Sequence, residues 1–178
     1  MNAALDVRTA LAPLLDADLT RWRGLQPLSR TALEAAFGAP TTVEEADLGH
    51  VPALRLRYDS DRPRFTDSPR FTAWERDGAI VMIEADRMPA VDMLARLPTP
   101  DARLQHEILL DGAYAREYLY CAIGLVLTVA EPFDRSGPNA IVRARGIAPL
   151  ADPSGFGPAY YLPFADQVRW APPEGMGA

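Results

Sequence analysis

Two pairs of alternating arginines are the residues whose type and spacing most suggest a chemical role. Arg55 and Arg57 are separated by one apolar residue, and so are Arg143 and Arg145. Residues at positions i and i+2 of an extended strand point to the same face. If the two strands belong to neighbouring sheets, the four guanidinium groups line one surface, which is a candidate binding site.

Two tyrosines, Tyr118 and Tyr120, follow a similar alternation on another predicted strand and complete this candidate site. Arginine and tyrosine are enriched among the residues that contribute most to protein–protein affinity. A second interpretation stays open, in which the arginines form cross-strand ion pairs with Glu75, Glu84 and Glu117. The sequence alone does not decide between a binding face and a set of ion pairs.

Few residues suit metal or nucleophilic chemistry. The sequence contains two histidines, His50 and His106, and one cysteine, Cys121. A zinc-protease helix needs a second histidine four residues after His106, and Leu110 stands there. The apolar neighbours of Cys121 predict a buried, unreactive thiol in a strand. We expect no metal, no cofactor and no catalytic residue, so enzyme activity is uncertain and a non-enzymatic role is favoured.

Charge and composition narrow the class of partner. The chain has 178 residues and a formal net charge of −6, and its 18 basic residues are all arginine, a composition typical of GC-rich bacterial genomes. The negative charge argues against nucleic-acid binding, which needs a dense cationic surface. No apolar run is long enough to span a bilayer, and the start of the chain does not resemble a signal peptide. These features predict a cytoplasmic protein.

Local patterns predict helices first and strands afterwards. Apolar residues at steps of three and four predict a helix over residues 6–25, and Ser29 is the expected N-cap of a second, shorter helix. The strict alternation from Ala53 to Tyr58 predicts a half-buried strand. Asp77 and Gly78 predict the turn of a hairpin.

The same order of signals recurs later in the chain. A helical stripe at Met93, Leu94 and Leu97 precedes four strand signals, at an offset of roughly sixty residues from the first set. The predicted fold class is therefore α+β, with tandem duplicated units that each combine short helices with a four-stranded antiparallel sheet. The predicted divisions are an N-terminal helix at 1–28, one unit at 29–88, a second at 89–150, and a tail at 151–178 that packs on the sheets.

A tandem unit of this kind resembles the fold of the β-lactamase inhibitor protein and of the small outer-membrane assembly lipoproteins of the BamE type. The resemblance covers residues 29–150 and rests on element order and on the pattern that ends a helix, from Leu33 to Pro40. It implies an inhibitor-like scaffold. It carries over no binding residue, because those families are exported and this chain lacks their leader and their cysteines.

Two functional hypotheses follow from these observations. The first is a non-enzymatic protein-binding or inhibitor-like module whose partner presents an acidic surface. The alternative is a small-ligand-binding protein or an enzyme, with an aromatic pocket between a sheet and the C-terminal tail. That pocket would be lined by Tyr160, Tyr161, Phe164 and Trp170.

Overall fold

The computed structural model describes residues 3–49, 51–59, 70–110, 113–133, 136–156 and 169–171. Within them the main structural element is an antiparallel β-sheet. Its strands are β1 (Thr42–Leu48), β2 (Val51–Tyr58), β3 (Phe71–Arg76), β4 (Ala79–Ala85), β5 (Ala102–Leu110), β6 (Ala113–Tyr120), β7 (Leu125–Pro132), β8 (Ala140–Ile147) and β9 (Arg169–Ala171). The helices are α1 (Ala3–Leu15) and α2 (Arg30–Phe37), with 3-10 turns at Leu19–Arg21, Val91–Arg96, Cys121–Ile123 and Pro153–Phe156.

Helix α1 buries one apolar stripe and is shorter than the sequence predicted. Leu11, Leu14 and Leu15 are buried, as their spacing requires. The predicted helix over 6–25 instead ends at Leu15, and Ala17 adopts a positive φ of 63° that a helix does not allow. None of the helices in the described residues is long and apolar enough to cross a membrane.

Helix α2 begins and ends where its sequence indicates. The hydroxyl of Ser29 accepts a hydrogen bond from the Ala32 amide at 3.2 Å, which confirms the predicted N-cap. Gly38 ends the helix with a φ of 88°, a conformation that favours glycine. Leu33 and Ala36 are buried, so this short helix is held to the protein by its apolar side.

Two strand meanders join into one sheet. In the described residues the strand order is β1-β2-β3-β4-β8-β7-β6-β5-β9. The turn between β3 and β4 contains Asp77 and Gly78 with φ values of 51° and 79°, which confirms the predicted hairpin. The two meanders meet where β4 pairs with β8, over the four register pairs from Met82↔Ile147 to Ala85↔Ala144.

The predicted fold class of tandem duplicated units, each with short helices and its own four-stranded antiparallel sheet, is wrong. The strands form one continuous sheet, because β4 and β8 hydrogen-bond to each other and leave no boundary between two sheets. The helix predicted around Met93 to Leu97 is a 3-10 turn, Val91–Arg96. Its expected counterpart in the first unit, α2, is an α-helix. The predicted divisions at 1–28, 29–88, 89–150 and 151–178 stay a prediction.

The sheet has two different faces. The helix-covered face carries Leu56, Ile83, Leu127 and Ala144, which pack in one core with the leucines of α1 and α2. The opposite face carries a second, smaller core of Leu48, Ala53, Met82, Ala102, Leu119, Cys121, Val126, Ile147 and Phe156. Phe156, at the end of the last 3-10 turn, is buried against this smaller core, so the chain covers part of the opposite face.

Gly146 lets the N-terminal segment lie directly on β8. A Cβ atom at this position would lie 2.5 Å from Trp22 Cζ2 and 2.8 Å from Leu14 Cδ2. The indole Nε1 of Trp22 donates to the carbonyl of Gly124 at 3.3 Å, and the Leu25 amide donates to the carbonyl of Ile147 at 2.9 Å. A side chain at position 146 would therefore push the buried indole away from the sheet.

We expect Gly146→Ala to lower the free energy of unfolding by about 1–3 kcal/mol, since overpacking a filled core forces side chains out of their preferred rotamers. Urea denaturation measures the change. Gly155→Ala is the matched control, because its new Cβ would lie 3.4 Å from the nearest atom, on Leu150, and should cost less than about 0.5 kcal/mol. Equal effects of the two substitutions would contradict this account of Gly146.

Candidate functional site

The sheet register places all four predicted arginines on the opposite face. Arg57 pairs with Thr72, Thr72 with Glu84, and Glu84 with Arg145, so these residues form one row across β2, β3, β4 and β8. Residues directly across neighbouring antiparallel strands share a face. Arg55 and Arg143 each lie two positions before a member of this row and therefore share the face as well.

Three of these arginines reach solvent, and we call Arg55, Arg57 and Arg143 the arginine face. Their side chains are 39%, 50% and 46% exposed, respectively. Each is paired with one carboxylate: Arg55 with Glu44 at 2.7 Å, Arg57 with Asp59 at 3.8 Å, and Arg143 with Glu84 at 3.4 Å. Exposed pairs of this kind contribute little to stability, about 0–1 kcal/mol each.

An aromatic ring that the sequence analysis missed lies beside the arginine face. The guanidinium carbon of Arg55 lies 5.9 Å from the centre of the Trp74 ring. Trp74 is partly buried and is the register partner of Arg55 on β3. The alternation of Thr72 with Trp74 shows only that these two residues share a face. The register of β2 with β3 puts them on the same face as the arginines, so the sequence alone could not identify the tryptophan.

Arg145 differs from the other three because it is buried. Its side chain is 7% exposed and that of Glu117 is 5% exposed, and the two form an ion pair. The hydroxyl of Thr128 lies between them and donates to Glu117 Oε1 at 3.2 Å. These three residues sit on β8, β7 and β6, three adjacent strands in the middle of the sheet.

Burial lowers the pKa of the Arg145 guanidinium to about 10, and the carboxylate of Glu84 opposes this shift. At neutral pH the group therefore remains protonated, and its charge is compensated by Glu117 inside the protein. Arg145 is consequently a structural residue and not part of a solvent-exposed binding surface.

The two predicted tyrosines lie on the helix-covered face, away from the arginines. Tyr118 pairs in register with Leu127 and Tyr120 with Leu125, both members of the larger core. The Tyr118 hydroxyl donates to Glu131 at 2.6 Å, and the Arg103 guanidinium carbon lies 5.0 Å from the centre of its ring. Burial raises the pKa of both tyrosines, that of Tyr120 to about 12. They are core residues, so the predicted six-residue surface does not form.

The sequence left open whether the arginines form ion pairs with Glu75, Glu84 and Glu117, and two of these three carboxylates do contact one of them. Of the three carboxylates named as alternative partners, Glu84 contacts Arg143 and Glu117 contacts Arg145. Glu75 instead lies 3.8 Å from Arg30, at the start of α2. That the arginine face also binds a partner stays a prediction.

Cys121 is buried, but it opens a 3-10 turn after β6 and does not lie in the predicted strand. The residue is 3% exposed. Burial, together with the nearby carboxylates of Asp101 and Asp152, raises the pKa of the thiol to about 11. Asp101 also accepts a hydrogen bond from the backbone amide of Cys121 at 2.6 Å. This environment disfavours the thiolate.

An acidic groove lies near the β1 edge of the sheet, where β1, β2 and β3 meet. Its volume is about 550 Å³, and its lining is Glu45, Ala46, Asp47, Pro52, Ala53, Leu54, Glu75, Arg76 and Asp77. The register puts Glu45, Leu54 and Glu75 in one row across the three strands. Four carboxylates against one guanidinium give the groove a net negative charge.

Several of the remaining candidate residues lie outside the described part of the chain. Within those residues, no three or more histidine, cysteine, aspartate or glutamate side chains are grouped as metal ligands. His50, Tyr160, Tyr161 and Phe164, and the side chains of His106 and Trp170, lie outside the part that the structure describes. The proposed aromatic pocket near the C-terminal tail therefore stays a prediction.

Comparisons with known proteins are sparse. No family model and no curated protein matches the sequence. A crystal structure of a DUF4309 family protein, YjgB, from Bacillus subtilis subsp. subtilis str. 168 matches with 12% identity and a TM-score of 0.35, over 78% of this chain and 95% of that chain. A likeness at this level supports no conclusion on fold or function, and the resemblance to β-lactamase inhibitor protein stays a prediction.

We expect Glu117→Ala to lower the free energy of unfolding by about 3–5 kcal/mol, because it leaves the Arg145 cation buried without its partner. Glu44→Ala removes the exposed partner of Arg55 and should cost less than about 1 kcal/mol. Chemical denaturation compares the two. The double variant Glu117→Leu with Arg145→Met should be more stable than Glu117→Ala. If Glu117→Ala is as mild as Glu44→Ala, the ion pair is not a structural constraint.

We also expect the Cys121 thiol to react slowly with a disulfide reagent in the native protein. A pKa of about 11 lowers the thiolate fraction near pH 8 by roughly 100-fold relative to a free cysteine, and burial adds a steric barrier. Stopped-flow absorbance on native and urea-unfolded protein measures the ratio, and the native rate should rise steeply with pH up to about pH 11. Equal rates in the two states would refute the burial of this thiol.

Proposed function

We propose that this protein is a non-enzymatic binding module and that an acidic surface of a partner protein docks on the arginine face. The observation that supports the proposal is the grouping of three half-exposed guanidinium groups on one face of a continuous sheet, with Trp74 beside Arg55. Arginine and tryptophan are the residue types most often found at the energetic centre of protein interfaces.

The ion pairs that these arginines form within the protein do not prevent them from binding a carboxylate of a partner. A guanidinium has five N–H donors in a fixed fork, and one carboxylate uses at most two of them. Arg57 and Arg143 contact their partners Asp59 and Glu84 at 3.8 and 3.4 Å, which is loose for a charge-assisted hydrogen bond. A carboxylate of a partner protein can therefore add to each arginine or replace the resident carboxylate.

The rigidity of the surface favours association. The arginine face lies on β2 and β8, which are paired on both sides, so its backbone is ordered before a partner binds. A preorganised surface loses less conformational entropy on binding than a flexible loop does. We further infer a cytoplasmic setting, because a free, buried cysteine suits a reducing compartment.

We expect the double variant Arg55→Ala with Arg57→Ala to lose the partner while it keeps its fold. Two exposed arginines should contribute less than about 1 kcal/mol to stability, whereas removal of a desolvated interfacial arginine costs about 2 kcal/mol or more in affinity. Affinity capture from the native cell, with the wild-type chain and the variant in parallel, identifies the partner, and calorimetric titration then measures both affinities.

The matched control is Arg87→Ala with Arg96→Ala, since both residues are exposed and lie outside the arginine face. The control variant should keep the wild-type affinity. If both double variants bind the partner as the wild type does, the arginine face is a set of solvated ion pairs and the proposal is wrong. A large drop in melting temperature for Arg55→Ala with Arg57→Ala would instead show that these residues are structural.

A further inference from the structure

Strand β1 forms one end of the sheet and has one unpaired edge in the part of the chain that the structure describes. Pro52 has no N–H group, so its pair with Asp47 is a non-hydrogen-bonded pair of the β1–β2 ladder. Hydrogen-bonded and non-hydrogen-bonded pairs alternate along the ladder, so Glu45 and Val43, like Asp47, belong to non-hydrogen-bonded pairs. The N–H and C=O groups of these three residues therefore point away from β2, toward the free edge.

The side chains of the same three residues are exposed and share a face. Val43 is 45% exposed, and Glu45 and Asp47 are also exposed. Glu45 and Asp47 line the acidic groove together with Glu75 and Asp77. The free edge thus combines outward backbone donors and acceptors with a negative charge on one side and an apolar residue at its start.

We propose that β1 is a second binding site, at which an extended basic segment of a partner protein adds to the sheet as an antiparallel strand. The backbone groups of Val43, Glu45 and Asp47 supply the hydrogen bonds, as in other cases of strand addition. In antiparallel register the segment has basic residues opposite Asp47 and Glu45 and an apolar residue opposite Val43. Its pattern, from N- to C-terminus, is basic, any, basic, any, apolar.

Repulsion between acidic side chains disfavours a second copy of this chain as the occupant of the β1 edge. Antiparallel pairing of two β1 strands, centred on Glu45, puts the Glu45 residues of the two molecules directly opposite each other. Asp47 of each molecule then lies opposite Val43 of the other. Like charges directly opposite across strands destabilise the pair, whereas opposite charges stabilise it. A basic segment therefore fits this edge better than β1 of another molecule does.

This site is independent of the arginine face. Glu45 and Asp47 alternate with Glu44, the residue that contacts Arg55, so they lie on the other side of the sheet. The two surfaces select partners of opposite charge. A failure of one proposal leaves the other unaffected.

The test uses the full chain and a fluorescent synthetic peptide in which arginine and threonine alternate before a C-terminal isoleucine. Fluorescence anisotropy should show saturable binding that weakens as the salt concentration rises. A peptide with glutamate in place of arginine should not bind. If the basic peptide fails to bind at low salt, the proposal is wrong, and the acidic residues serve only to keep the edge from aggregating.

Two double variants locate the binding. Glu45→Arg with Asp47→Arg should weaken binding of the basic peptide about tenfold or more and create binding of the acidic one, because each cross-strand charge pair changes sign. Asp16→Arg with Asp86→Arg makes the same change in net charge at exposed positions elsewhere and should retain most of the affinity. Equal losses in these two double variants would mean non-specific electrostatic attraction and would overturn the proposal.

Glu45→Pro tests the backbone contribution. It removes an N–H that points to the free edge and leaves the β1–β2 ladder intact, as Pro52 already does on the neighbouring strand. It should abolish peptide binding without a large change in melting temperature. Unchanged binding by a folded Glu45→Pro protein would exclude strand addition. A wild-type dimer in light scattering that Glu45→Pro dissociates would identify a second copy as the occupant and would also overturn the proposal.

Discussion

The pairing of β4 with β8 is the contact on which the rest of the structure depends. It joins two meanders into one sheet through only four register pairs, and both faces of the sheet are organised around it. On the helix-covered face, Gly146 allows Trp22 to lie against β8. On the opposite face, Glu84 of β4 and Arg145 of β8 are register partners, so the same pairing sets the row of charged residues. Loss of this pairing would separate the arginines of β2 from those of β8.

The residues that surround an arginine on the sheet, and not its strand alone, determine whether it reaches solvent. Arg55 and Arg57 lie on β2, next to the edge strand β1, and stay in contact with solvent. On β8, Arg143 is also half-exposed, whereas Arg145, two residues further along the same strand, is buried against Glu117. A buried cation needs a compensating carboxylate, because desolvation costs more than an exposed pair gains. Three of the four alternating arginines therefore belong to a candidate binding surface, and the fourth belongs to the interior.

Some local features were predictable, and the long-range ones were not. The N-cap at Ser29 and the turn at Asp77 and Gly78 depend on neighbours in the sequence, and both were predicted correctly. Alternation within β6 also showed that Glu117 and Tyr118 point in opposite directions. It could not show which of them shares a face with Arg145, since that depends on the register of β6, β7 and β8. The prediction of two sheets failed for the same reason, because no local pattern specifies that β4 pairs with β8.

The strand order has a consequence for synthesis on the ribosome. Strand β4 has an apolar interior, with Ile80, Met82 and Ile83 buried in the finished protein, yet its partner β8 is translated last among the eight strands of the two meanders. The roughly 60 residues between them take about 3–12 s to make at bacterial or eukaryotic elongation rates. During that interval the nascent chain presents an uncovered apolar edge, the kind of surface at which strands of different chains aggregate.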